Sequence, residues 1–266
     1  MANQLADYEI TRPVLDERVL PCLPARCPSR LGGGVATVWV LGPLARVPWE
    51  PARARLEAVA AVRSENVPAW LEAGTGEFAD RQVIWVSAST EIVGTLASPP
   101  AELAVPDKLR ALAAAARAAH ELHERGQLHA AICPQAVALR PQGAGAVLGP
   151  PSLADGKQLV AHVGYPPLSY ADPQLLRGEG GRWSDIWGLG ATLHQVLTGS
   201  PPFQGVEELP VVQGLAKLLE VPSLSPGPVP RQLAGLTDAC LSTDPLDRPA
   251  TARDVAEQLE GAASQW

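Results

Sequence analysis

The segment SDIWGLGATLHQVLTGSPPF, Ser184–Phe203, decides the fold. Its interior is apolar almost all round, which marks a helix enclosed by other structure rather than one lying on a surface. Ser184 is placed to cap its start, and Gly199 to end it. Pro201 and Pro202 then turn the chain away. Two further helices are expected near Arg231–Leu241 and Thr251–Leu259, the second opened by a capping box of Thr251 and Asp254. Upstream, Pro106–Arg125 places Leu109, Leu112, Ala113, Ala116 and His120 at the helical period, and Gly126 stops it.

The first third of the chain has a different pattern. VATVWVL (Val35–Leu41) and RQVIWVSA (Arg81–Ala88) are β-branched and aromatic runs bounded by turn residues, so each is expected to be a strand. The glycines Gly32–Gly34 suit a hairpin turn before the first. Between the strands, Pro48–Arg63 predicts one helix, with Pro51 in its first turn and Leu56, Val59, Ala60 and Arg63 on a shared face. The expected class is therefore α+β. Residues 1–97 form a small sheet with one helix, and residues 98–266 form a larger helical lobe.

Of the 266 residues, 46% are hydrophobic and 18% charged, which suits a packed core and excludes global disorder. The net charge of −7 argues against a nucleic-acid binder that works by neutralising phosphates. No apolar run approaches a membrane span. The opening MANQLADYEI lacks the basic and apolar regions of a signal peptide, so a cytoplasmic location is expected. The four cysteines give one loose pair, Cys22 and Cys27, with Cys133 and Cys240 isolated. Zinc needs about four ligands in tetrahedral reach, so free thiols are expected instead.

The order of these segments resembles a protein kinase, of the bacterial Ser/Thr type. Ser184–Phe203 is similar to that family's S-D-x-[YW]-x-L-G-x-x-L-x-x-x-L-T-G-x-P-P-F. CLSTDPLDRPAT (Cys240–Thr251) is similar to C-L-x-x-D-P-x-x-R-P, and YADPQLLRGE (Tyr170–Glu179) stands in the place of Y-x-A-P-E-x-L-x-G. The likeness runs from about residue 30 to 260 and is strongest in the second half. It implies a bilobal fold with a small β-sheet N-lobe and a larger helical C-lobe.

The same resemblance locates a catalytic loop at LHAAICPQAVAL, Leu128–Leu139, where the family has H-R-D-L-K-P-x-N-I-L-L. His129 and Pro134 keep its frame. The family's Arg is Ala130, its catalytic Asp is Ala131, its Lys is Cys133 and its metal-binding Asn is Ala136. The Asp orients a substrate hydroxyl, and an alanine has no lone pair for that task. Mg²⁺ wants oxygen ligands, and Ala136 offers none. The second metal ligand, the Asp of D-F-G, falls on Pro150, and the nucleotide-binding Lys falls on Trp39. The Glu of the N-lobe helix falls on Arg55. Val14–Cys27 holds no glycine where a Gly-rich loop belongs, while Asp16 and Glu17 there would repel phosphate. Asp155 is the nearest acid to Pro150 and is read as a turn residue before Gly156.

These losses imply a catalytically inactive pseudokinase, not an enzyme, with no cofactor and no bound metal. The retained positions have structural roles in the family. Asp185 accepts hydrogen bonds from the loop backbone, Arg248 pairs with the residue at Gln174, and His129 braces the loop. His120 and His123, three apart on a helix, are read as packing residues. The expected function is a protein-binding, scaffolding or allosteric regulatory module in a bacterial complex. Its partner is expected to be an active kinase or a second copy joined through the N-lobe. Trp49, Trp70 and Trp183 are the candidate surface anchors, with Trp85 and Trp187 assigned to the core. The alternative is a nucleotide-binding sensor or rewired transferase with a metal-independent cleft, drawing phosphate-binding charge from Arg55 or Lys157. The position of Trp39 separates the two.

Overall fold

The computed structural model describes residues 4–11, 20–43, 47–153, 167–209, 211–218 and 229–265. The strands are β1 (Gln4–Leu5), β2 (Tyr8–Ile10), β3 (Cys22–Arg26), β4 (Val35–Pro43), β5 (Trp70–Phe78), β6 (Arg81–Ala88), β7 (Gly94–Thr95), β8 (Val137–Leu139) and β9 (Ala146–Leu148). The helices are α1 (Trp49–Ala60), α2 (Val105–His123), α3 (Pro173–Leu176), α4 (Arg182–Thr198), α5 (Val211–Lys217), α6 (Arg231–Cys240) and α7 (Ala252–Ser264). The architecture is α+β and bilobal. An antiparallel sheet ordered β1-β2-β3-β4-β6-β5 carries α1, and a helical lobe follows with a small sheet β7-β8-β9.

The two strands expected in the N-terminal sheet are present, and four more join them. In β3 the alternation is hidden by Pro24, and in β5 by Gly74 and Gly76. Those glycines have a packing cause: a Cβ at residue 74 would lie 2.7 Å from the Trp85 ring. The sheet is covered on both faces. Its outer face buries Leu23, Val38, Val40, Val83 and Trp85 beneath Leu5 and Tyr8 of the N-terminal hairpin. A polar clasp holds that hairpin down. The Arg30 guanidinium grips Glu72 through two bonds of 2.8 and 2.7 Å and reaches Asp7 at 3.2 Å. The Tyr8 hydroxyl lies 3.0 Å from Glu72 Oε1 and 2.7 Å from Ser87 Oγ.

Helix α1 ends at Ala60, so Arg63 lies beyond it and is exposed; Ala52, Leu56 and Val59 form its buried face. Helix α2 matches its expected span within two residues at each end, and Gly126 takes the left-handed φ of +68° that stops the chain. The quoted segment forms the central helix α4, but it starts two residues before Ser184. Gly181 is the N-cap, and Ser184 reaches back from the third helical position, its Oγ accepting the Gly181 N–H at 3.3 Å. Gly199 ends the helix at φ +81°, and Thr251 and Asp254 form the capping box of α7.

Two glycines explain how α4 can sit at the centre. A Cβ on Gly188 would lie 2.7 Å from the Ile132 carbonyl oxygen, and one on Gly190 would lie 2.4 Å from the Cys240 Cβ. The helix thus touches the loop on one side and α6 on the other. Alanine is the better helix former by about 1 kcal/mol, yet overpacking against backbone costs roughly 1–3 kcal/mol. Gly188→Ala and Gly190→Ala are expected to lower the urea midpoint despite their helix propensity; an unchanged or raised midpoint would show the approach to be looser than described.

Candidate functional site

The loop Leu128–Leu139 is organised by one carboxylate. Asp185, in the first turn of α4, is 1% exposed. Its Oδ2 accepts the His129 N–H at 2.9 Å and the His123 Nε2–H at 2.8 Å, and its Oδ1 accepts the Ala130 N–H at 2.7 Å. Burial alone would raise its pKa; the His123 bond and charge and the His129 contacts overcome this, holding the carboxyl below its usual range. The bond at Ala130 has a conformational consequence. Ala130 sits at φ +58°, a left-handed conformation that costs a residue with a Cβ about 1–2 kcal/mol, so the carboxylate holds the turn against its own strain.

His129 is fully buried, with Nε2–H donating to the Gly149 carbonyl at 3.1 Å. Its Nδ1 is buried without a partner among the described residues. Burial pushes its pKa down to about 4, so the ring is neutral near pH 7. The side chains around this frame are small. Ala130, Ala131, Cys133 and Ala136 are all buried and bring neither carboxylate nor amide, and Pro150 is buried too. A phosphoryl transfer in this chain would run without a carboxylate at 131 or a metal-binding amide at 136.

Trp39 enters this region. It is 1% exposed, and its ring meets Trp70 edge-on with centroids 5.4 Å apart. A Cβ placed on Gly149 would lie 3.8 Å from its Nε1 and 3.2 Å from the Ala136 carbonyl oxygen. The indole therefore lies beside Gly149, the residue before Pro150, and Gly149 in turn packs on the backbone of Ala136; Ala136 and Pro150 are the two positions expected of metal ligands. Trp70 is thereby buried, at 8% exposure, and is not a surface anchor as expected; the ring of Trp39 covers it. Trp49 is half-buried and Trp183 is exposed, while Trp85 and Trp187 are core residues as expected.

Arg55 occupies the helix position expected of a glutamate. Its Nε donates to the Ser152 carbonyl at 2.6 Å and its Nη2 to the Leu128 carbonyl at 3.0 Å. Burial lowers its pKa from the ordinary guanidinium value, opposed by the nearby Asp185 charge, and a guanidinium stays protonated at any working pH. One cation from α1 thus bridges the segments before and after the loop. A cavity of about 320 Å³ opens elsewhere, lined by Thr11, Pro24, Arg26, Val35, Thr37 and Glu91 among others, with no residue of the loop on its wall.

Arg248 corrects another expectation. Its guanidinium pairs with Asp172, not Gln174, through bonds of 2.9 and 3.2 Å between side chains that are almost wholly buried. Asp172 lies two residues earlier in YADPQ, so the charged pair persists from a displaced position. Gln174 instead reaches the Thr243 carbonyl at 3.5 Å. Asp16, Glu17, Asp155 and Lys157 lie outside the described residues. Among the described residues, no cluster of three or more His, Cys, Asp or Glu side chains is placed to hold a metal, and no helix is long and apolar enough to cross a membrane.

No family model matches the chain. It is 30% identical over 153 residues to a protein named serine/threonine-protein kinase PknK from Mycobacterium bovis, covering 56% of this chain and 14% of that one. It is 38% identical over 85 residues to the human mitogen-activated protein kinase kinase kinase 11, covering 31% and 9%. The chain thus spans a small part of either relative. The crystal structure of the Mycobacterium tuberculosis PknI kinase domain superimposes with a TM-score of 0.68 at 24% identity, over 97% of each chain. The chain has a protein kinase-like fold. The expectation that it is not an enzyme is corrected by these matches, since the relatives are named as kinases and the structural match is a kinase domain.

The buried histidine sets a pH dependence. His129 has a folded pKa of about 4 against an ordinary 6.5, so as pH falls the unfolded chain takes up the proton first. Stability is full above pH 6.5 and is lost as pH falls from there toward 4. Between pH 7.5 and 5 the loss from this group is about 2 kcal/mol, or roughly 4–8 °C in melting temperature. His194, also lowered by burial, adds to the fall. Thermal melts of His129→Gln are expected to show a much smaller drop than the parent over that range; an equal drop would place the titration elsewhere.

Proposed function

We propose that this kinase-like unit acts as a protein-binding regulatory module whose cleft is filled by its own side chains. The observation that carries this reading is that Trp39 and Arg55 reach the loop and the segment after it. The indole lies beside Gly149, and the guanidinium joins α1 to the carbonyls of Leu128 and Ser152. Both groups are part of the chain, so neither gives up translational freedom to occupy its place, as a bound ligand must. The lobes are then held together without a nucleotide. The proposed setting is cytoplasmic, and the proposed partner is a protein, either an active kinase or a second copy of this chain.

A second reading, nucleotide sensing without a metal, draws on the cavity between Pro24, Thr37 and Glu91. Its cation, Arg26, is exposed and lies 3.5 Å from Glu9, which leaves less charge for a phosphate chain. Thermal melts with ATP and with ADP, each with and without Mg²⁺, separate the two. A ligand at about a hundred times its dissociation constant stabilises by about 2.7 kcal/mol, several degrees for a chain of this size. The filled-cleft reading expects no shift with either nucleotide. A clear shift, indifferent to Mg²⁺, would replace it with nucleotide sensing.

A further inference from the structure

Two large apolar side chains are exposed on the helical lobe, on backbone segments joined through Arg248. Leu246 is 91% exposed and Trp183 is 37% exposed; among the described residues Val35 is the one other large hydrophobic residue so exposed. A single buried residue ties together the backbone beneath both. The Arg248 guanidinium donates to the Trp183 carbonyl at 2.9 Å and to the Ser242 carbonyl at 2.9 Å, while its backbone N–H bonds the Pro245 carbonyl at 3.3 Å. The Leu246 N–H is held by Asp244 Oδ1 at 2.9 Å. The Trp183 ring lies over Gly181, where a Cβ would come within 2.5 Å of it. Two anchors on fixed backbone lose little further entropy on docking.

The exposed charged neighbours of the two anchors in the chain differ in sign. Exposed Asp244 and Asp247 flank Leu246. Exposed Arg182 precedes Trp183, and Arg177 and Glu179 are exposed in the residues before it. Among the described residues none of these two arginines and two aspartates forms an ion pair. Within the N-lobe, which is expected to carry the pairing, the outer face of the sheet is by contrast covered by Leu5 and Tyr8.

We propose that this surface joins two copies of the chain in a two-fold pair. A two-fold axis between Trp183 and Leu246 sets the basic edge of each copy against the acidic edge of the other, and each Leu246 against the opposite Trp183. A surface of one sign repels a second copy; one divided in this way attracts it and fixes its register. The proposal gives the partner for the protein-binding reading, on which it rests, but it uses a different face of the molecule.

Sedimentation velocity of the full chain over about 1–100 µM tests it. The expected result is a concentration-dependent rise from one chain mass to two. Leu246→Lys is expected to weaken pairing about tenfold or more, as loss of a central apolar anchor does. Arg182→Asp and Asp247→Arg are each expected to stay single alone and to pair when mixed, because the mixture alone restores opposite charge at both edges. All three positions are exposed, and thermal melts confirm that the variants fold. A parent chain of single mass at 100 µM, or reversed variants that do not pair on mixing, would overturn the proposal. Either result leaves the nucleotide titration unaffected, so this proposal and the filled-cleft reading fail separately.

Discussion

The Asp185 carboxylate is the constraint from which the site follows. It is buried at the start of the central helix, and a buried charge is tolerated only when donors surround it. Two of its three donors are consecutive backbone N–H groups, at His129 and Ala130. To present both to one carboxylate the backbone must turn sharply, and Ala130 adopts a left-handed conformation to do so. The side chains at 131, 133 and 136 are therefore placed by the helix that carries Asp185. The frame is fixed independently of what those side chains are, which is why it persists with alanines and a cysteine in it.

This independence explains what could be read from the sequence. The central helix was legible because its caps, its glycines and its uninterrupted apolar surface answer to one local geometry. The loop register was legible because His129, Pro134 and Asp185 are spaced for it. The remaining sheet strands were not, because their burial is decided by partners distant in sequence. Trp85 fills the space above Gly74, so β5 needs glycine where a strand pattern wants a side chain. Tyr8 buries itself against Trp85, with ring centroids 5.5 Å apart, although nothing local to residues 4–10 signals a strand. The partner of Arg248 was missed by two residues for a related reason. A guanidinium reaches any carboxylate within its span, and an alignment of motif positions does not register that Asp172 lies within it.

The inference from missing side chains to absent catalysis went further than residue chemistry allows. Ala131, Ala136 and Pro150 remove the atoms that one mechanism uses to orient a hydroxyl and hold magnesium. That is a statement about those atoms. Activity belongs to the whole arrangement, and the relatives of this chain are named as kinases. What the geometry does define is where new groups stand. Trp39 and Arg55 replace a cation and an anion of the expected site with a neutral ring and a cation, and they do so together. A lone tryptophan beside the glutamate expected at 55 would leave that carboxylate buried without a counter-charge, which is costly. With arginine there instead, the half-buried charge is positive, and it is satisfied by the carbonyls of Ser152 and Leu128 and by the field of Asp185.

Arg55 is coupled to Asp185 through electrostatics rather than through a direct ion pair. Asp185 is negative and its donors are the loop backbone and His123; His129 beside it is neutral. A second carboxylate on α1 would add to that negative charge with no metal ligand set to offset it. An arginine balances it. The same balance accounts for the ordering of the segments on either side of the loop, since the carbonyls that Arg55 binds belong to residues 128 and 152, just outside the turn that Asp185 holds. One carboxylate fixes the turn from the helical lobe and one guanidinium fixes its flanks from the sheet lobe. Their opposite charges, carried by elements far apart in sequence, draw the two lobes to the same loop.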